Sequence, residues 1–316
     1  MKLKSFVVVF FTTVVLLSLT ACNTNHKMHI NVKSGDEYKY HTLISITSDN
    51  EIYGQTSSAK QDTTTEFKIK VDNVDSEGNI TMNYIYDHIK FEADTDGTKQ
   101  LYDSDNSNPN DFSAVYKNIV GKGFTAKMTK YGEVTEVTGV DELLNTIVTT
   151  LYPGMDDETY IEETKKSFNS TFGDFALKSL VQLSTKIFPD KKVKIGDSWD
   201  IEATINTIEE INAKITYTLD KIENKTAYLS VKSEFSTDKS KVKDYMGMAM
   251  TTDLTGTITG TIKVNMDNCF ISEGELTQNL SGKMSVVVPS ISGSEEETLD
   301  IPMNSTTVST YSITKM

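Results

Sequence analysis

Apolar and polar residues alternate one for one through Glu66-Phe67-Lys68-Ile69-Lys70-Val71 and again through Ile80-Thr81-Met82-Asn83-Tyr84-Ile85-Tyr86. A period of two sends successive side chains to opposite faces of a pleated strand, so each segment buries one face and wets the other. Ser76-Glu77-Gly78-Asn79 between them is turn chemistry, and the two segments read as a hairpin. Residues 124–137 repeat the pattern, with Ala126, Met128 and Val134 flanking a turn at Lys130-Tyr131-Gly132-Glu133. Further strands are expected at residues 215–222, 227–235, 257–266 and 276–288. Only five prolines interrupt a chain rich in Thr, Val, Ile and Tyr, a composition that favours strands.

The middle of the chain has a different period. Val140, Leu143, Leu144, Ile147, Val148 and Leu151 recur at helical spacing, with Thr138 expected as N-cap and Asp141 and Glu142 in the first turn. Pro153-Gly154 ends this helix. A second helical pattern runs from Asp156 to Phe188 and carries Ile161, Phe168, Phe172, Phe175, Ala176, Leu180, Leu183 and Ile187, with Gly173 expected to break or kink it. Stripes this apolar must be covered by a sheet. The fold class expected is therefore mainly β (α+β): two antiparallel β-rich halves, 30–137 and 191–316, joined by a helical segment, 138–190, packed on the sheet. A curved sheet wrapped around the helices and two separate small β domains both satisfy the pattern.

The two halves share an order of short segments. Val32-Lys33-Ser34-Gly35-Asp36-Glu37-Tyr38 leads into a strand and Val71-Asp72-Asn73-Val74 begins a hairpin; after the helices, Val193-Lys194-Ile195-Gly196-Asp197-Ser198-Trp199 and Leu219-Asp220-Lys221-Ile222 stand in the same order. An internal duplication is expected on this ground.

The chain opens with Lys2 and Lys4 and an apolar run from Phe6 to Leu19, interrupted by Thr12, Thr13 and Ser18. A membrane-crossing helix needs about 20 apolar residues, so this shorter run reads as a signal peptide. It ends in Leu19-Thr20-Ala21-Cys22, which resembles the lipobox of bacterial lipoproteins. The resemblance implies that residues 1–21 are removed by a cut between Ala21 and Cys22, and that Cys22 carries a diacylglyceryl anchor with palmitate-type chains. Two acyl chains hold a protein stably in a bilayer. Residues 22–29 would then be a lipidated tether, and the body would be extracytoplasmic, at the cell membrane or the outer membrane. Gly35-Asp36-Glu37-Tyr38, Gly139-Val140-Asp141-Glu142-Leu143-Leu144 and Pro189-Asp190-Lys191-Lys192-Val193-Lys194-Ile195-Gly196-Asp197-Ser198-Trp199 are together similar to an uncharacterised family of bacterial lipoproteins, a domain of unknown function. That resemblance implies an envelope location and assigns no catalytic residue.

The formal net charge is −14, and it becomes more negative once Lys2 and Lys4 leave with the leader. All 31 basic residues are lysine; without arginine there is no bidentate grip on phosphate, and nucleic acid is not an expected partner. Of two cysteines, lipidation takes Cys22, so Cys269 is expected as a buried, unpaired small hydrophobe. No metal or cofactor is expected. His26 and His29 fall in the tether, and His41 and His88 in strands, where a surface histidine is the ordinary outcome. Asp94-Thr95-Asp96-Gly97 and Asp103-Ser104-Asp105-Asn106-Ser107-Asn108 offer clustered oxygens, but Asn108 stands where a calcium loop needs glycine and Ala114 where it needs glutamate. Neither a GxSxG elbow, a P-loop nor a dinucleotide fingerprint occurs. The chain is therefore not expected to be an enzyme, with a carboxylate-pair hydrolase as a distant alternative.

Met246, Met248 and Met250 alternate with Gly247 and Ala249, which puts three thioethers on one face of a strand. Thioethers make an adaptable apolar wall. With Phe168, Phe172 and Phe175 from the helices they could line a pocket for a hydrophobic or lipid-like ligand between helices and concave sheet. The expectation is thus a non-enzymatic binder whose partners are the membrane, through its anchor, and an apolar ligand. The alternative is a structural or partner-binding envelope lipoprotein, meeting another envelope protein, in which the same side chains fill an ordinary core.

Overall fold

The structure, a computed structural model, describes residues 25–52, 55–106, 112–206, 210–245, 248–288 and 297–316. The leader, Ala21 and Cys22 lie outside the described residues. Strands β1 (Glu37–Ile52), β2 (Gln55–Val74), β3 (Ile80–Thr95) and β4 (Thr98–Asp103) precede a short helix α1 (Ser113–Ile119). β5 (Gly123–Met128) and β6 (Val134–Thr138) lead into α2 (Val140–Leu151), α3 (Glu158–Phe172) and α4 (Asp174–Thr185). Then follow β7 (Ser198–Asn206), β8 (Glu210–Glu223), β9 (Thr226–Ser236), β10 (Lys243–Tyr245), β11 (Met248–Asn265), β12 (Ile271–Val288) and β13 (Glu297–Lys315).

These strands form one antiparallel sheet in the order β6-β5-β3-β2-β1-β13-β12-β11-β9-β8-β7, with β4 added to β3 and β10 to β11. The two β-rich halves are therefore not separate domains. β13 joins them, pairing with β1 from Tyr38↔Lys315 to Asn50↔Met303 on one side and with β12 on the other. Leu219, Leu229, Ile262, Gly274, Tyr311 and Thr42 stand side by side across six strands, and Tyr40, Phe67 and Tyr86 continue the same face. On that face the Phe67 and Tyr86 rings lie 4.5 Å apart and Tyr84 stacks on Phe124 at 5.0 Å. Such ring pairs add about 0.5–1.5 kcal/mol each beyond their burial.

Glycine lets the sheet coil. Gly256 faces Phe235 and Gly274 faces Tyr311 across neighbouring strands. A Cβ on Gly256 would lie 2.3 Å from the Phe235 ring, and one on Gly274 2.6 Å from the Tyr311 ring. Each aromatic ring occupies the space its glycine partner leaves, a device that bends a sheet without opening a void.

The repeated segments have matching geometry. Gly35 and Gly196 both have positive φ, 89° and 91°, which only glycine adopts without strain. The amides of Lys33 and Lys194 donate to the carboxylates of Asp36 and Asp197 at 2.9 and 3.0 Å. Gly35 then bonds the Val71 carbonyl and Gly196 the Leu219 carbonyl, at 2.8 and 2.7 Å. The register slips after Val71 on the β2–β3 pair and after Leu219 on the β8–β9 pair. The meander β1-β2-β3-β5-β6 thus has its counterpart in β7-β8-β9-β11-β12.

The helices lie on the concave face, where Leu143, Leu144, Ile147, Leu177 and Val181 join the cluster built on Phe67, Tyr84 and Phe124. Gly139, not Thr138, caps α2: the chain leaves β6 through a left-handed residue with φ 92°, and Thr138 is still in the strand. Asp157 caps α3 by accepting from the amides of Thr159 and Tyr160. Gly173 separates α3 from α4, and a Cβ there would lie 2.4 Å from the Asn169 carbonyl oxygen. α1 escapes the sequence pattern because two turns with three buried residues are too short to display a period.

α4 touches both edge strands, β6 and β7. The Thr185 hydroxyl donates to the Gly132 carbonyl at 2.8 Å, beside β6, and the Trp199 indole on β7 donates to the Ile187 carbonyl at 2.8 Å. The sheet is rolled until its two edges meet this one helix. Residues 25–29, expected in a solvated tether, are part of the body. His26 and Val193 exchange backbone hydrogen bonds at 2.7 and 2.8 Å, and Met28, 1 % exposed, packs with Ile187, Phe188 and Val193. Burying the Met28 side chain removes its apolar surface from water, which draws this stretch onto the fold.

Candidate functional site

α4 buries Leu177, Val181, Ser184 and Thr185, a stripe one helical face wide. Residues three and four apart share a helix face, so two flanking rows remain: Phe175, Ser179 and Leu183, and beside them Lys178, Gln182 and Lys186. Opposite stand Ile201 and Ala203 of β7 and Ile215 and Tyr217 of β8. Between helix and strands lies a cleft of about 500 Å³, bordered also by Glu133, Glu202, Thr204 and Asn212. The consecutive residues Ile201, Glu202, Ala203 and Thr204 all line it. Neighbours along a strand point to opposite faces, so the cleft meets β7 along its free edge; among the described residues β7 pairs with β8 alone.

Phe175 and Leu183 are 40 % and 47 % exposed. One exposed apolar side chain is ordinary; here two share one row of the helix and face Ile201, Ala203 and Ile215 across the cleft. Among the polar groups, Lys186 Nζ lies 3.4 Å from Glu133, and Thr204 donates to Asn212 at 3.2 Å. The Lys178 ammonium and the Gln182 amide have no side-chain partner among the described residues. Tyr217 is 5 % exposed and its ring stacks on that of Trp199 at 6.2 Å. Burial pushes its phenol well above the ordinary pKa, so it stays a neutral donor, and its hydroxyl has no hydrogen-bond partner among the described residues.

Of the six side chains expected to line a pocket, Phe175 alone borders this cleft. Phe172 is buried 6.3 Å from the Tyr86 ring, and Phe168 stacks on Phe112 at 5.9 Å. Both are on the core side of α3, and the break at Gly173 turns Phe175 outward. Met248 and Met250 do share a face, with Ala249 exposed between them. Their partners are Tyr245 and Val286, and they join none of the phenylalanines. Met246 lies outside the described residues. Lys178, Gln182 and Tyr217 were not anticipated. Their one signal is a basic-amide-basic row at four-residue spacing in a chain this acidic.

Elsewhere, His88 Nε2 lies 3.0 Å from Asp103 Oδ1 and 3.8 Å from Asp105 Oδ2, which brings a strand histidine onto one of the two acidic loops. Cys269 is buried, and burial raises its thiol pKa. No helix among the described residues is long and apolar enough to cross a membrane.

A model of a family of unknown function, DUF6263, matches residues 77–271. No curated protein matches the chain. Among solved structures, a lipovitellin studied for its lipid–protein interactions is 9% identical, with 88% of this chain and 25% of that one covered at a TM-score of 0.43. Aeromonas hydrophila ExeD is 9% identical over 89% of this chain and 49% of its own, at 0.20. Pseudomonas aeruginosa OccK7 is 6% identical over 89% of this chain and 100% of its own, at 0.25. The chain thus spans a quarter of the lipovitellin chain and about half of ExeD. At these TM-scores the likeness carries no functional argument.

Proposed function

The chain belongs to DUF6263, a family of unknown function, and we propose that it is a non-enzymatic binder of a hydrophobic, lipid-like ligand, held at the cell envelope by a lipidated Cys22. The observation that carries the binding is the cleft between α4 and the free edge of β7. Its volume of about 500 Å³ is within the ~300–1,000 Å³ typical of small-molecule sites, and Phe175, Leu183, Ile201, Ala203 and Ile215 form an apolar strip within a largely polar lining. Phe175 and Leu183 supply apolar surface that the core does not use. The anchor rests on Lys2, Lys4, the short apolar run and Leu19-Thr20-Ala21-Cys22.

Native mass spectrometry of the mature chain carrying Cys22→Ser, purified without detergent, tests the binding. A stoichiometric apolar adduct is expected. Phe175→Asp and Leu183→Asp should empty the cleft with little loss of stability, because both side chains are substantially exposed. A chain that carries no adduct and takes up no apolar dye overturns the proposal and leaves the partner-binding lipoprotein.

A further inference from the structure

We infer that the ligand of this cleft carries an anionic head, a carboxylate or phosphate on an aliphatic chain, received by Lys178, Gln182 and Tyr217. This rests on the binding reading above and names the class of ligand. Setting aside the groups already partnered within the cleft isolates the chemistry. Glu133 is neutralised by Lys186, and the Thr204 hydroxyl donates to the Asn212 carbonyl oxygen. What remains on the helix and floor are donors: the Lys178 ammonium, the Gln182 amide, the Tyr217 phenol and, beside them, the Ser179 hydroxyl and the Asn212 amide N–H. The anion left over, Glu202, is exposed on the edge strand. Lys178 and Gln182 are one turn apart on α4 and so reach the same point.

Tyr217 adds a donor from the floor: it lines the cleft and its phenol stays protonated, so an oxygen of a bound molecule would accept from its hydroxyl. A neutral amphiphile would cover the Lys178 ammonium without supplying a counter-charge, which burial penalises. A carboxylate or phosphate makes charge-assisted bonds to it instead. The apolar chain would then run along Phe175, Leu183, Ile201 and Ile215.

Trp199 reports on the site, because it is the chain's one tryptophan and stacks on Tyr217. The experiment titrates the mature Cys22→Ser chain with palmitate, lysophosphatidic acid and hexadecanol below their micellar thresholds, following Trp199 emission. At least one of the two anions is expected to bind about tenfold more tightly than the alcohol, and which one does so identifies the head. Lys178→Met should erase that preference, and an unchanged circular dichroism spectrum and urea midpoint show that the variant is folded. Tyr217→Phe should weaken the preferred anion. Equal affinity for alcohol and anions in the unaltered cleft overturns the anionic head but keeps the binder. Absence of binding by all three overturns both.

Discussion

The indole N–H of Trp199 donates to the main-chain carbonyl of Ile187 at 2.8 Å, and this bond holds the edge strand β7 against the end of α4. Trp199→Phe keeps most of the ring but strands a buried carbonyl. The expected loss is about 1–3 kcal/mol, read as a lower urea midpoint with an unchanged slope. A midpoint equal to that of the parent would mean that the bond does not secure the cleft wall.

The opposite edge is fastened at Gly132. Its φ is +80°, and a Cβ there would lie 2.0 Å from the Thr185 carbonyl oxygen. Gly132→Ala should therefore cost roughly 2–4 kcal/mol, in the range of backbone strain combined with overpacking. Gly154→Ala, whose φ is +78° but whose surroundings are open, should cost less. Chemical denaturation of the two variants side by side separates close packing from conformational strain.

Asp36 ties the entry to β1 to the end of β13, accepting from Lys315 Nζ at 2.6 Å. The Lys315 hydrogen bond, followed by the Lys33 amide, holds its carboxyl below the ordinary value of 3.8. A depressed carboxylate contributes stability that is complete above its unfolded pKa and disappears as pH falls through its folded one. Asp36→Asn should therefore be less stable than the parent at neutral pH, and the difference should shrink as pH drops below 3.8. A difference that stays constant into acid would show that charge is not what Asp36 contributes.

Cys269 has a left-handed backbone, φ 59°, and a buried thiol whose pKa is raised by desolvation. The thiolate is the reactive species. In the Cys22→Ser chain, iodoacetamide should leave Cys269 unmodified in buffer and alkylate it in denaturant, as peptide mass mapping would reveal. Rapid labelling in buffer would place the sulfur at the surface.

Cys22→Ala should abolish acyl labelling and release the chain from the membrane fraction. Metabolic labelling with a fatty-acid analogue, followed by fractionation, checks both. Retention of the variant in the membrane would rule out Cys22 as the anchor.

The strands were legible because burial on one sheet face imposes a period of two, visible from Phe67 to Tyr86 and again through β11. The break at Gly173 was legible for a related reason: a stripe as regular as that of α3 and α4 shows where it is interrupted. The cleft was not legible. It forms where residues 175–186 approach residues 201–217, and in sequence Lys178 and Gln182 look like the ordinary wet side of a helix. Met248 and Met250 do not meet the phenylalanines, for a reason of register. Alternation correctly put Met248 and Met250 on one face, but only the pairing of Met250 with Val286 shows how far along the sheet that face extends. Met28 and Ile30 are isolated apolar residues in a polar stretch, and their burial depends on surfaces supplied from residues 187–193 and the β5–β6 turn.

Because β13 is the strand that sews β1 to β12, the sheet cannot become continuous until residues 297–315 have been made. A chain made only as far as β12 would present two long unpaired edges, and such edges recruit foreign strands. A ribosome that stops before residue 297 would release two half-sheets with nothing to unite them. For a protein made in this order, quality control has a natural target: the unpaired flank of β1, waiting for β13.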